Sequence, residues 1–132
     1  MPAPPDDLVL DTEALLRLAG EHLANTGCPR CAALRCPGWE AFPAIADEAS
    51  LRRIGSLRSP GDHDPTLDEY HPQGTDYWSA QAPIAPAFYP YNRCELWACR
   101  GCGRPFLRYT EYGGYYEEKR IRELRMELIA PA

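Results

Sequence analysis

Long apolar runs are missing from this chain. No segment approaches the length that crosses a membrane, and the opening MPAPPDDLVL has neither the basic stretch nor the continuous apolar core of a secretory leader. The expected location is therefore a reducing cytoplasm, where the 6 cysteines read as metal ligands before they read as disulfides. Catalytic signatures are missing too: there is no GxSxG, no phosphate-binding glycine loop, no HExxH, and no His-x-Glu paired with Pro-Cys-x-x-Cys. Histidine is scarce, at 3 residues, and none follows His71. An overall basic charge is also absent. Residues 1–92 hold 6 basic and 13 acidic side chains, residues 93–132 hold 8 and 6, and the net charge of −5 disfavours phosphate backbones at long range.

Proline and cysteine are what the chain has in excess. Its 132 residues fit one domain large enough to bury a core, and 14 prolines point to loop-rich packing rather than long regular elements. The cysteines fall in two mirrored groups, Cys28-x2-Cys31-x4-Cys36 and Cys94-x4-Cys99-x2-Cys102. A CxxC pair can chelate one metal without strain, and Gly103 after Cys102 lets the backbone reverse. Cys28, Cys31, Cys99 and Cys102 are thus the best set of four ligands for zinc, with Cys36 and Cys94 as alternate ligands, a redox pair or small buried side chains. An iron–sulfur cluster on four of the six thiolates is the less favoured reading.

The predicted elements follow the chain. Residues 1–10 form an arm. Asp11 sits at a helix N-cap, and Leu15, Leu18, Ala19, His22 and Leu23 share one helical face that leads into the first knuckle; residues 11–36 make one unit. Residues 44–54 are helix-permissive. The span 37–92 is a proline- and aromatic-rich irregular excursion, expected to be ordered over the core. Within 93–122, Cys94–Ala98 reads as a strand, Arg104–Tyr112 alternates as a second, and Gly113-Gly114 turns the chain into a third. Residues 123–132 form the tail, where strong helix formers favour a terminal helix.

The CPRC and CRGCGRPF runs, with the strand-turn-strand after Cys102, resemble the knuckles and second half of the zinc-ribbon, or rubredoxin-like, class over about residues 24–36 and 93–120. That resemblance implies an α+β fold around a three-stranded antiparallel sheet and a structural metal. The 67 residues between Cys31 and Cys99 exceed what a compact ribbon carries. A separate cluster, Asp62, His63, Asp64, Asp68, Glu69 and His71, looks like the nuclease centre of HNH proteins, which also lies between zinc knuckles. Here a single residue separates His63 from Pro65 where that family has two. Asp62, His63 and His71 are the catalytic candidates it supplies.

Four thiolates close a zinc shell and leave no open position for substrate, so the chain reads foremost as a binding protein. Trp97, Arg104, Phe106, Arg108, Tyr109, Tyr112 and Tyr115 mix stackable rings with arginine, a composition suited to protein interfaces or to single-stranded nucleic acid. Interspersed glutamates and the acidic middle of the chain favour a basic protein partner, with the chain as an adaptor or an immunity-type inhibitor, over nucleic acid. No membrane role is expected.

Overall fold

A computed structural model describes residues 9–21, 28–58 and 64–130. The predicted helix is present as α1, Thr12–Gly20: the Asp11 carboxylate accepts the Ala14 N–H at 2.8 Å, Glu13 occupies the first turn, and Leu15 and Ala19 turn inward. His22 lies outside the described residues.

Five strands follow: β1 Glu40–Ala41, β2 Leu51–Ser56, β3 Glu95–Cys99, β4 Pro105–Tyr112 and β5 Glu117–Glu123. They form one sheet in the order β1-β5-β4-β3-β2, every neighbouring pair antiparallel. The fold is α+β. The three expected strands are its centre, and the expectation of a three-stranded sheet is corrected by β2 on one flank and β1 on the other.

β2 replaces the helix expected at 44–54. Only a short 3-10 turn, Glu48–Ser50, forms there, with the Asp47 carboxylate accepting the Ala49 N–H. Leu51 then pairs with Cys99 and is 1% exposed, and a bulge between Arg53 and Gly55 carries the strand past Leu96. The free edge of β3 thus offers backbone partners and burial that outweigh the modest helix propensity of AIADEASLRRI. The tail is corrected in the same way. β5 runs to Glu123, Leu124 N–H donates to Pro105 O at 3.1 Å, and a 3-10 turn at Met126–Leu128 stands where a terminal helix was expected. Beyond it the chain clamps the excursion: Ile84 N–H donates to Leu128 O at 2.8 Å and Ala130 N–H to Ile84 O at 2.9 Å.

Alternation along the strands gives the sheet two apolar faces. One packs Leu96, Leu107 and Tyr109 against Leu15 of α1, Trp39, and Ile84 and Tyr91 of the excursion. Residues 64–92 are irregular; 64–81 are exposed or half-buried, whereas further on Ala82, Ile84, Ala85 and Tyr91 are buried in the core. The other face packs Phe106 and Ile121 against Leu34, Leu51, Cys31, Cys36 and Cys99. Burying one such Leu, Ile or Phe side chain stabilises by about 1.5–3 kcal/mol.

Arg122 enters the first face without solvent contact. Its guanidinium donates to the Tyr91 hydroxyl, Ala82 O at 2.8 Å, Ala80 O at 3.2 Å and Pro37 O at 3.3 Å. Those acceptors make the buried charge tolerable and tie β5 to the excursion.

Candidate metal centre

Two turns bring the four thiols together. Cys28 and Cys31 precede a 3-10 turn, Ala32–Leu34, started by Leu34 N–H donating to Cys31 O at 2.9 Å. Cys99 ends β3, and the chain reverses through Cys102 into β4, with Gly103 N–H donating to Cys99 O at 2.8 Å and Cys99 N–H to Arg104 O at 2.9 Å. Gly103 has φ +84°, the left-handed conformation that its place after the second cysteine demands. Gly101 matters through its missing side chain: a Cβ there would stand 3.3 Å from Cys28 Sγ and 3.2 Å from Arg30 Cδ, so the knuckles meet against bare backbone.

The Sγ atoms of Cys28, Cys31, Cys99 and Cys102 all lie within 4.8 Å of one another. The close approaches run between knuckles, Cys28 to Cys99 at 3.9 Å and Cys31 to Cys102 at 3.7 Å. A tetrahedral ion with metal–sulfur bonds of about 2.3 Å requires sulfur–sulfur edges of about 3.8 Å. The four cysteines could therefore hold one metal ion with little rearrangement. Cys31 and Cys99 form its buried floor, and Cys28 and Cys102 are half-buried at its rim.

Without an ion these thiols cannot share negative charge comfortably. Burial and the neighbouring thiols of Cys102 and Cys99 push Cys31 up to about 12, and burial raises Cys102 as well. Cys28 moves the other way, to about 7: desolvation opposes its thiolate, but the backbone N–H groups of Arg30 and Cys31, with the Cys102 and Cys99 thiols, outweigh it. A bound cation would favour the thiolates of Cys31 and Cys102.

Cys36 and Cys94 stay outside this group. Cys36 packs in the cluster below the knuckles and donates to Leu34 O at 3.2 Å, whereas Cys94 packs in the cluster on the other face and donates to Pro90 O at 3.2 Å. Burial pushes the Cys36 thiol up to about 12 and Cys94 well above the ordinary value. Of the three readings open to them, small buried side chains is the one their surroundings match.

Among the described residues, the four cysteines are the one group of three or more metal-binding side chains that converges. His71 is engaged locally, with Nδ1 against Thr75 Oγ1 at 2.8 Å and Nε2 against Glu69 Oε1 at 2.7 Å. Asp62 and His63 lie outside the described residues.

The surface residues divide sharply. Phe106 is fully buried and Tyr109 nearly so, its hydroxyl bonded to that of Tyr77 and accepting from the Arg120 guanidinium at 3.3 Å, and neither presents a ring to a partner. Arg108 lies between the rings of Phe42 and Trp97, 4.5 and 4.8 Å from their centroids, and donates to Glu48 at 2.6 Å. Trp97 is half-buried and donates to Glu95, while Arg104 pairs with Glu123 at 3.7 Å. Tyr112 and Tyr115 are open to solvent, at 72% and 103% exposure, at the tip of the β4–β5 hairpin. Glu48 is the residue that sequence reasoning missed: it draws in both Arg108 and Lys119, from 60 and 71 positions away, a pairing no local pattern encodes.

No helix among the described residues is long and apolar enough to cross a membrane. The chain matches no protein-family model, and no curated protein or solved structure resembles it significantly.

Proposed function

We propose that this chain is a non-enzymatic zinc protein of zinc-ribbon type, whose ion fastens the segment after α1 to the β3–β4 turn and whose sheet serves as a platform for another protein. The observation that carries the metal half is the sulfur geometry, because inter-knuckle separations of 3.7 and 3.9 Å match the edge of a tetrahedral tetrathiolate site. A multi-iron cluster would insert several iron and sulfide atoms between the thiolates and needs a wider cage. Four protein ligands complete the shell, so the ion's role is structural.

The protein-binding half rests on how the cations are used. Arg108 and Lys119 are held by Glu48, Arg120 by Glu118, Arg104 by Glu123, and Arg122 is buried in the core. A nucleic-acid reader needs such groups turned outward to phosphate. The exposed tyrosines among carboxylates suit instead a basic protein surface, as an adaptor or an immunity-type inhibitor in a reducing cytoplasm would meet.

The test is elemental analysis of natively purified, reduced protein together with affinity capture from its own cell extract. One equivalent of zinc, an uncoloured solution and a co-purifying protein that survives nuclease treatment are expected. Less than one equivalent of metal, or visible iron absorption, overturns the zinc assignment. Capture that disappears on nuclease treatment and depends steeply on salt favours the nucleic-acid alternative.

A further inference from the structure

Thiols this close have a second chemistry besides ligation, and its outcome depends on which sulfur meets which. The approaches of 3.9 Å between Cys28 and Cys99 and of 3.7 Å between Cys31 and Cys102 both cross from one knuckle to the other. Each joins a half-buried sulfur at the rim, Cys28 or Cys102, to a buried one on the floor, Cys99 or Cys31. Both pairs thus have one sulfur open to a reagent from solvent and one shielded from it. Cys36 and Cys94 lie in separate buried clusters, each donating to a carbonyl, and neither joins the converging group.

The pairing decides what oxidation does to the molecule. A disulfide within a knuckle, Cys28 to Cys31 or Cys99 to Cys102, closes a loop of four residues and leaves the segment after α1 unjoined from the β3–β4 turn. A disulfide between knuckles spans 71 positions, the same span that an ion on the four cysteines would bridge, and keeps the two segments fastened. Oxidation of the first kind undoes the staple, and oxidation of the second kind replaces it.

We propose that a hydroperoxide converts the four thiols into two cross-knuckle disulfides, Cys28 to Cys99 and Cys31 to Cys102, so that the staple outlasts its metal. This deepens the zinc reading above and rests on it for the metal that is lost. In each pair the rim sulfur, as thiolate, attacks the peroxide: an S–O bond forms, the O–O bond breaks and hydroxide leaves. The floor thiolate then attacks the resulting sulfenic sulfur, an S–S bond forms, and the sulfenic oxygen leaves as a second hydroxide. Each pair gives two electrons to one peroxide, so four thiolates consume two. Sulfurs spent in disulfides are no longer thiolate ligands, and zinc is released.

The experiment treats zinc-loaded full-length protein with hydrogen peroxide, follows free zinc with a chromogenic chelator, alkylates the remaining thiols in denaturant and digests with trypsin without reduction. Cleavage after Arg17, Arg30, Arg35, Arg93, Arg100 and Arg108 places the four cysteines on four different peptides, 18–30, 31–35, 94–100 and 101–108, so mass spectrometry reads the pairing directly. One equivalent of zinc is expected to appear as 18–30 becomes linked to 94–100 and 31–35 to 101–108, with Cys36 and Cys94 alkylated. The oxidised, metal-free protein is expected to keep its thermal midpoint within about 5 °C of the zinc-loaded form, well above the reduced, chelated one. Oxidised instead in guanidinium chloride, the same chain is expected to favour the within-knuckle links, whose short loops close most easily. Any other native pairing, a link to Cys36 or Cys94, the same pattern in native and unfolded protein, zinc release without disulfides, or a midpoint as low as that of the reduced, chelated form overturns the proposal. Protein that holds one equivalent of zinc but pairs its thiols otherwise loses this inference and keeps the zinc reading. Protein that holds no metal yet forms the cross-knuckle links sinks the zinc reading and keeps the pairing.

Discussion

Cys99 and Cys36 are both buried in one apolar cluster, and their different partners set different consequences for the same substitution. Cys99 belongs to the converging tetrad, and its thiolate would be one of four ligands whose metal binding is itself folding free energy. The Cys36 thiol donates to the carbonyls of Leu34 and Ile121, which a serine hydroxyl can also reach. Cys99→Ser is expected to abolish stoichiometric zinc and to destabilise the fold far more than Cys36→Ser, which keeps the metal and costs about 1–2 kcal/mol for burying a hydroxyl. Metal analysis with urea denaturation checks both; equal damage would place Cys36 in the site. Arg122 poses the complementary case. Arg122→Leu leaves the Pro37, Ala80 and Ala82 carbonyls without this donor and the Tyr91 hydroxyl with Trp39 alone, with an expected loss of about 2–4 kcal/mol in the same assay. Arg122→Lys should recover part of it, because one ammonium reaches fewer of those acceptors than the planar fork does.

What could be read from the sequence at the level of elements was whatever the chain encodes locally. Asp11 with the i, i+3, i+4 spacing of Leu15, Leu18 and Ala19 marked α1, and the Gly113-Gly114 turn between alternating segments marked the β4–β5 hairpin. The knuckle pairs marked the converging cysteines for the same reason, since each CxxC can chelate within four residues. β2 escaped because its partner lies more than forty positions away, at Leu96–Cys99, and the tail escaped because Leu124 and Ile129 are claimed by Pro105 and Ile84. Such distant pairings override propensity. Glu48 supplies a test at this scale, because its short turn is tied to β4 and β5 through Arg108 and Lys119. Hydrogen bonds from Lys119 and Arg108 hold its carboxyl below the ordinary carboxylate value. A depressed folded-state value means that this contribution is present above the ordinary glutamate range and lost as pH falls through the folded value. Glu48→Gln is expected to cost under about 1 kcal/mol at pH 7, since the group is partly solvated, and the gap to wild type should close below about pH 4 in paired thermal melts. A gap independent of pH would show that the carboxylate charge is not what ties the turn down.

At the scale of the molecule, an ion on the four cysteines would join parts of the chain 71 residues apart, and it would do so on one face of the sheet only. The other face is packed by Leu15, Trp39, Ile84, Leu96 and Leu107, away from the four clustered cysteines. On the cysteine side the buried cluster is smaller among the described residues, and three of its seven members there are cysteines, so less apolar burial would remain without an ion. Removing zinc should therefore loosen the molecule unevenly rather than dissolve it. With a strong chelator the thermal midpoint is expected to fall by about 10 °C or more, and to rise again with free zinc concentration as binding to the folded state alone requires. Hydrogen exchange should quicken first in residues 28–36 and 99–104, while amides of α1 and of β4 opposite β5 keep most of their protection. Uniform loss of protection would mean that both faces depend on the ion. A midpoint indifferent to chelator would mean that the thiols hold the two segments together unaided, and the staple would have no structural role.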